Sequence, residues 1–228
     1  MKLSVDTKAI TFDVGGTLIE PWPSVGQIYA EAASRHGYPN ISAELLKQRF
    51  IAAWHEMKDF NYARAEWASL VDATFRGLIE NLPSETFFPE LYEQFGRPDV
   101  WRVFPDVLPV VETLAARGLK LGIISNWDER LRPLLRELQL HKYFDPVVIS
   151  CEIGCCKPER RIFEAAADKL GVPVSNILHV GDNVSNDRDG ALNAGFQACL
   201  LIRGPQGPDA APIHSLHDLV PQHRPSFL

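Results

Sequence analysis

An α/β fold, with a parallel sheet covered by helices on both faces and an all-helical insertion, is what this 228-residue sequence predicts. Three observations predict it. Short apolar runs of strand length recur along the chain, amphipathic stretches of about ten to fifteen residues separate the later ones, and the interval between the first and second runs is helical throughout.

The strand-like runs are Ala9 to Phe12, Leu119 to Ser125, Val147 to Ser150, Ile177 to Val180 and Ala198 to Ile202. From Ser24 to Phe95 the chain reads VGQIYAEAASRHG, SAELLKQRFIAAWHEMKDF, EWASLVDATFRGLIENL and ETFFPELYEQF, broken at Gly37-Tyr38-Pro39, near Asn61 and at Pro83. A strand-to-helix connection normally takes a few residues, so this interval is an inserted module. The expected division is 1–20 plus 100–228 for the sheet domain and 21–99 for the helical one. An insertion leaving the carboxyl edge of the sheet is placed to act as a lid over a site there. Further along, Pro105 to Arg117, Glu129 to Leu140 and Arg161 to Leu170 repeat apolar residues at helical spacing, the last stopped by Gly171. The stretch GPQGPDAAP and the final HRPSFL read as loop and terminus.

Hydrophobic residues at 46% and charged residues at 23% are ordinary for a globular protein. A formal net charge of -6 argues against sequence-independent binding to nucleic acid, whose phosphates call for an excess of Lys and Arg. No apolar run approaches a membrane span, and MKLSVDTK runs into the first strand without the apolar stretch of a signal peptide, so a cytoplasmic protein is expected. Cys151, Cys155, Cys156 and Cys199 lack zinc-site spacing and a nearby histidine, and read as free thiols in a reducing compartment.

Four polar clusters fall at the carboxyl ends of four of these runs: Asp13, then Ser125-Asn126, then Lys157, then Gly181-Asp182 with Asp187. In a parallel sheet such ends converge on one crevice. Crowded carboxylates repel and raise each other's pKa unless a cation sits among them, and their oxygens suit Mg²⁺. A metal, a lysine and Ser/Asn donors together make a receptor for a dianion such as phosphate. A carboxylate on the open side can attack and form an acyl-phosphate.

The series FDVGGTL, IISN, KPERRIF and HVGDNVSNDRDGALNAG resembles, in order and spacing, the four motifs of the haloacid dehalogenase-like hydrolase superfamily, and the insertion resembles the cap of its first subfamily. The resemblance covers nearly the whole chain. It implies a Rossmann-like three-layer core with an inserted all-α cap. It makes Asp13 the nucleophile and Lys157 the group that steadies it, with Ser125, Asn126 and the Gly16 backbone binding the transferring group. Asp13, Asp182, the Gly15 carbonyl and Asp187, directly or through a neighbour, would hold Mg²⁺. The implied partner is a phosphorylated small molecule.

One position departs from the phosphatase pattern. Phosphatases of the superfamily place a second aspartate two residues after the nucleophile as acid and base; Gly15 stands there. Three alternatives follow: a weakened phosphate-binding or interaction module, a metal-free 2-haloacid dehalogenase, and a phosphonatase using a cap lysine, Lys47 or Lys58. Asp182 and Asp187 favour the metal over the dehalogenase. Glu56 and Asp59 flank Lys58 in the chain and favour its charged form, the reverse of what an imine former needs.

Each residue also has a plainer reading. Asp13 could cap a turn, Asp187 could cap the helix that follows, Ser125-Asn126 could start a helix, Lys157 could be a solvated loop residue, and His179 reads as a hydrogen-bonded core histidine. Trp54 and Trp67 read as packing. Trp22, between two prolines, and Arg64 are candidates for contacting a ligand by position alone.

Overall fold

A computed structural model describes residues 3–57, 60–204 and 213–220. Lys58, Asp59 and most of the Pro-rich tail lie outside the described residues. The strands are β1 (Ala9–Phe12), β2 (Ile19–Pro21), β3 (Trp101–Val103), β4 (Lys120–Ser125), β5 (Val147–Ile149), β6 (Ile177–Gly181) and β7 (Gln197–Leu200). The α-helices are α1 (Val25–Arg35), α2 (Ala43–Glu56), α3 (Arg64–Phe75), α4 (Phe88–Gln94), α5 (Val107–Ala116), α6 (Leu131–Glu137), α7 (Ser150–Ile153), α8 (Arg160–Leu170) and α9 (Gly190–Asn193).

Two compact units result: Met1–Ile19, Val103–Asn126 and Gln139–Leu228 form one, and Glu20–Arg102 with Trp127–Leu138 form the other. The first is an α/β Rossmann-like unit. Its five-stranded sheet runs β5-β4-β1-β6-β7 with every pairing parallel. β1 is buried along its whole length, as a strand covered on both faces must be. Chain order reverses around β1, since β4 and β5 lie to one side and β6 and β7 to the other. Such a reversal opens a crevice at the carboxyl ends of the strands. Helix α8 shows how the faces are covered: Ile162, Phe163, Ala166, Ala167 and Leu170 form one buried stripe, and Gly171, at φ +62°, ends the helix in the left-handed region.

The second unit has its own core of Ile28, Tyr29, Leu46, Val71, Phe75, Phe87, Leu91 and neighbours. Ser24 and Ser42 cap α1 and α2 by accepting from the Gln27 and Leu45 amides. Helix α3 is shorter than the apolar spacing suggests: it ends at Phe75, because Gly77 at φ +75° turns the chain into a short bridge between Arg76 and Ile79. Helix α6 and its lead-in pack in this unit. The Arg130 guanidinium stacks 3.5 Å over the Tyr92 ring and donates to the Tyr92 carbonyl at 2.6 Å, while its other arm pairs with Asp128. The helix starts at Leu131 rather than at Ser125-Asn126.

Candidate active site

The carboxyl end of β1 delivers Asp13. Its amide extends the ladder by donating to the Val180 carbonyl at 2.9 Å, which locks the residue at the reversal point. Its carboxylate Oδ1 accepts from Ser125 Oγ at 3.3 Å and from Lys157 Nζ at 2.7 Å. The same ammonium donates to Asp187 Oδ1 at 2.6 Å, with the lysine side chain only 2% exposed. Lys157 is therefore a buried bridge between two carboxylates, not a solvated loop residue.

Asn126 places it. The Asn126 carboxamide donates to the Lys157 carbonyl at 3.0 Å and accepts from the Lys157 amide at 2.7 Å, clamping the backbone of the residue that enters the crevice. Both ends of this side chain are committed to the protein itself.

Asp187 is not a helix cap, as one reading of the sequence had it. The π-helical turn Val184–Asp189 is capped by Asn183, whose side chain accepts from the Asn186 amide. Asp187 instead folds back beneath the strand end, where Oδ2 accepts from the Asn183 amide at 2.9 Å and Oδ1 accepts from His179 Nε2 at 3.1 Å. A Cβ on Gly181 would lie 2.2 Å from the Asp187 carboxyl carbon, so only glycine leaves room for this turn. His179 is buried as expected, and its Nδ1 is 2.9 Å from Thr11 Oγ1, its direct cross-strand partner. What the sequence did not disclose is its contact with Asp187. The period-2 spacing of His179 and Gly181 on β6 was the available signal.

Asp182 completes the cluster: Asp13, Asp182 and Asp187 each offer a carboxylate oxygen within 4.8 Å of the others. Gly16 closes on it. At φ +74°, a Cβ there would stand 2.2 Å from Asp182 Oδ2. Gly15 bridges to Ile19 in the same turn, and its carbonyl accepts no hydrogen bond among the described residues.

Fully ionised, three carboxylates against one ammonium would carry an excess of two negative charges. Burial, then the Asp187 charge, raise the Asp13 pKa against the pull of Lys157. Crowded surroundings and the charges of Asp13 and Asp187 push Asp182 up to about 7, although the residue keeps solvent access. Burial works against ionisation of Asp187 and Lys157 too, but their mutual attraction overrides it: Asp187 is held well below, and Lys157 above, the usual range. Burial also lowers His179, so the neutral imidazole donates from Nε2 to Asp187 and accepts at Nδ1 from Thr11. An all-oxygen donor set, a double negative excess and a cradle with no room for a Cβ at Gly16 fit a small divalent cation such as Mg²⁺.

The cysteines are free, and burial pushes the thiols of Cys155, Cys156 and Cys199 up, the last to about 11. Among the described residues the aspartate cluster is the one group with the makings of a metal site. No helix there is long and apolar enough to cross a membrane.

Comparisons with known proteins point to one family. A model described as haloacid dehalogenase-like hydrolase matches residues 7–195. Haloacid dehalogenase-like hydrolase domain-containing protein 3 of Mus musculus is 32% identical over 225 residues, covering 94% of this chain and 88% of that protein. A HAD phosphatase from Thermococcus onnurineus superposes with TM-score 0.66 at 28% identity, over 93% of this chain and 95% of that one. L-2-haloacid dehalogenase from Xanthobacter autotrophicus also gives TM-score 0.66, at 25% identity, over 88% of this chain and 79% of that one.

Proposed function

The chain belongs to the haloacid dehalogenase-like hydrolase family, and from that premise we propose that it hydrolyses a phosphorylated small molecule through a phosphoryl group carried on Asp13, with Mg²⁺ held beside it. The observation that carries this reading is the convergence of Asp13, Asp182 and Asp187 within 4.8 Å around a lysine that bridges two of them.

Asp13 is the nucleophile. One carboxylate oxygen forms a bond to phosphorus, the bond from phosphorus to the leaving oxygen breaks, and that oxygen departs with the electron pair. Water then attacks the aspartyl-phosphate, and inorganic phosphate leaves with Asp13 restored. Lys157 favours the ionised form of Asp13 against burial and the neighbouring carboxylate, and faces the negative charge that develops. Ser125 stands beside the reacting carboxylate as a donor, and the Gly15-Gly16 turn lets backbone approach the phosphoryl group. Asn126 contributes by fixing Lys157. Asp13, Asp182 and the Gly15 carbonyl would hold Mg²⁺, whose charge would offset the acidic crevice so that a dianion can enter. Asp187, with three donors of its own, holds Lys157 in place.

Gly15 leaves the leaving group without the usual acid, which favours aryl and acyl phosphates or anhydrides over alkyl esters. The test is p-nitrophenyl phosphate turnover with and without Mg²⁺, for the native chain and for Asp13→Asn. Turnover is expected to need both; turnover indifferent to metal and to the substitution would sink the reading.

Gly15 also supports a second reading, a phosphate-binding module with little turnover. Tight equilibrium binding of a phosphometabolite without hydrolysis of any good leaving group would favour it. Metal-free dehalogenation, suggested by the likeness to the Xanthobacter enzyme, expects halide release from a 2-haloacid in chelator; the third carboxylate, Asp182, weighs against it.

A further inference from the structure

Arg203 lies beyond β7, outside every motif quoted above, and its contacts end on the turn that follows the nucleophile. Its Nη2 and Nε donate to the Thr17 carbonyl at 2.7 and 3.2 Å. Its Nη1 and Nη2 also hold both oxygens of Asp106, at 3.1 and 2.9 Å, and its guanidinium lies 3.7 Å over the Phe104 ring. Thr17 is fully buried, and its carbonyl has no other donor among the described residues. The neighbouring Leu18 carbonyl accepts from the Phe104 amide at 3.1 Å. Two successive carbonyls of the turn are thus pinned to a single strut of Phe104, Asp106 and Arg203.

The strut is itself anchored. Asp106 Oδ2 accepts from Ser215 Oγ at 2.7 Å and from the Leu216 amide at 2.8 Å, tying it to the 3-10 turn Leu216–Leu219. At its other end, the Val14 carbonyl accepts from the Leu18 and Ile19 amides, and Gly16 packs against Asp182 with no room to spare. A shift of a few tenths of an ångström at Thr17 would carry Gly15 and Gly16 with it.

We propose that Arg203 is a positioning residue for the Asp13 turn: by holding the Thr17 carbonyl it sets the Gly15-Gly16 backbone against Asp182, and so sets the affinity of the site for its divalent cation. The cation part rests on the function proposed above; the positioning part does not. Lysine at this position keeps the charge but cannot present the fork that reaches a carbonyl and a carboxylate together. A methionine leaves a buried carbonyl with no donor.

The experiment compares the full chain with Arg203→Lys and Arg203→Met in two measurements. In amide hydrogen exchange, Gly16, Leu18 and Ile19 are expected to exchange roughly tenfold faster or more in Arg203→Met, less so in Arg203→Lys, with the amides of β4 and β6 unchanged. Turn amides at the native rate, or uniform acceleration across the sheet, would overturn the proposal. In Mg²⁺ titration, the half-saturating concentration is expected to rise about tenfold while turnover at saturating Mg²⁺ stays within about threefold. A native chain that binds no Mg²⁺ would end the metal reading and leave amide exchange to decide the role of Arg203. Unchanged Mg²⁺ affinity in both variants, with the native chain binding normally, would overturn the link from strut to cation.

Discussion

On the function proposed above, Gly15 stands where an acid-base phosphatase would carry its second carboxylate. The φ of Gly15 is not among the positive ones, so no left-handed backbone demands glycine there, whereas Gly16 beside it stands at φ +74° and against Asp182. Gly15→Asp is therefore expected to fold and to place a carboxyl two residues after the nucleophile. An acid in that place is worth roughly 10² to 10⁴ in rate for a poor leaving group and much less for a good one. Assayed with Mg²⁺, the variant is expected to gain chiefly on an alkyl sugar phosphate, with p-nitrophenyl phosphate changing little. Equal gains on both, or none on either, would show that proton transfer to the leaving group does not limit this site.

Among the elements, the segment that opens α5 is held by charge as much as by packing. Burial alone would raise the Asp106 pKa, but the Arg203 fork, the Ser215 hydroxyl and the Leu216 amide outweigh it and bring it below the ordinary value of 3.8. A carboxylate with a lowered folded pKa contributes stability that is complete above its unfolded pKa and is lost as pH falls through the folded one. Asp106→Asn is accordingly expected to cost about 2 kcal/mol at pH 7 in urea unfolding, a gap that narrows from about pH 4 downward. A gap that stays constant to pH 3 would mean the charge contributes nothing. This strut was not legible in the sequence, because Asp106, Arg203 and Ser215 are joined only by the fold. The sheet strands were legible, since apolar runs such as KLGIIS and ILHVG need only a buried strand to explain them. So was the meeting of Asp13, Ser125 and Asp182, which stand at or beside the carboxyl ends of parallel strands, whereas Lys157 and Asp187 lie beyond theirs and reach the crevice through the segments that follow β5 and β6. The three-residue ribbon of β2 and β3 left no periodic trace, and the tight turn that carries Asp187 has no apolar signature. For α6 the apolar spacing announced a helix, but its packing partner follows from the Arg130–Tyr92 stack, a contact between residues far apart in sequence.

On the scale of the whole molecule, the two units carry separate cores and, by the accident of composition, separate optical reporters. All five tryptophans, Trp22, Trp54, Trp67, Trp101 and Trp127, belong to the helical unit, while the parallel sheet belongs to the other. Tryptophan fluorescence therefore follows one unit, and circular dichroism follows both. Phe163 supplies the contrast: it is fully buried under the sheet, edge-on to His179 at 5.4 Å and to Phe196 at 5.6 Å. Phe163→Ala should remove about 3 to 5 kcal/mol from the sheet unit, by lost transfer energy and the cavity left behind. If each core sustains its own unit, the urea midpoint by circular dichroism moves to lower concentration while the fluorescence midpoint stays nearer the native one. Two-state behaviour across the chain would instead move both midpoints together, because coincident transitions are the mark of one cooperative unit. The Gly15→Asp and Arg203 substitutions lie in the sheet unit as well. Fluorescence that stays at its native midpoint in those variants would separate a change of chemistry in the crevice from a loss of structure in the helices.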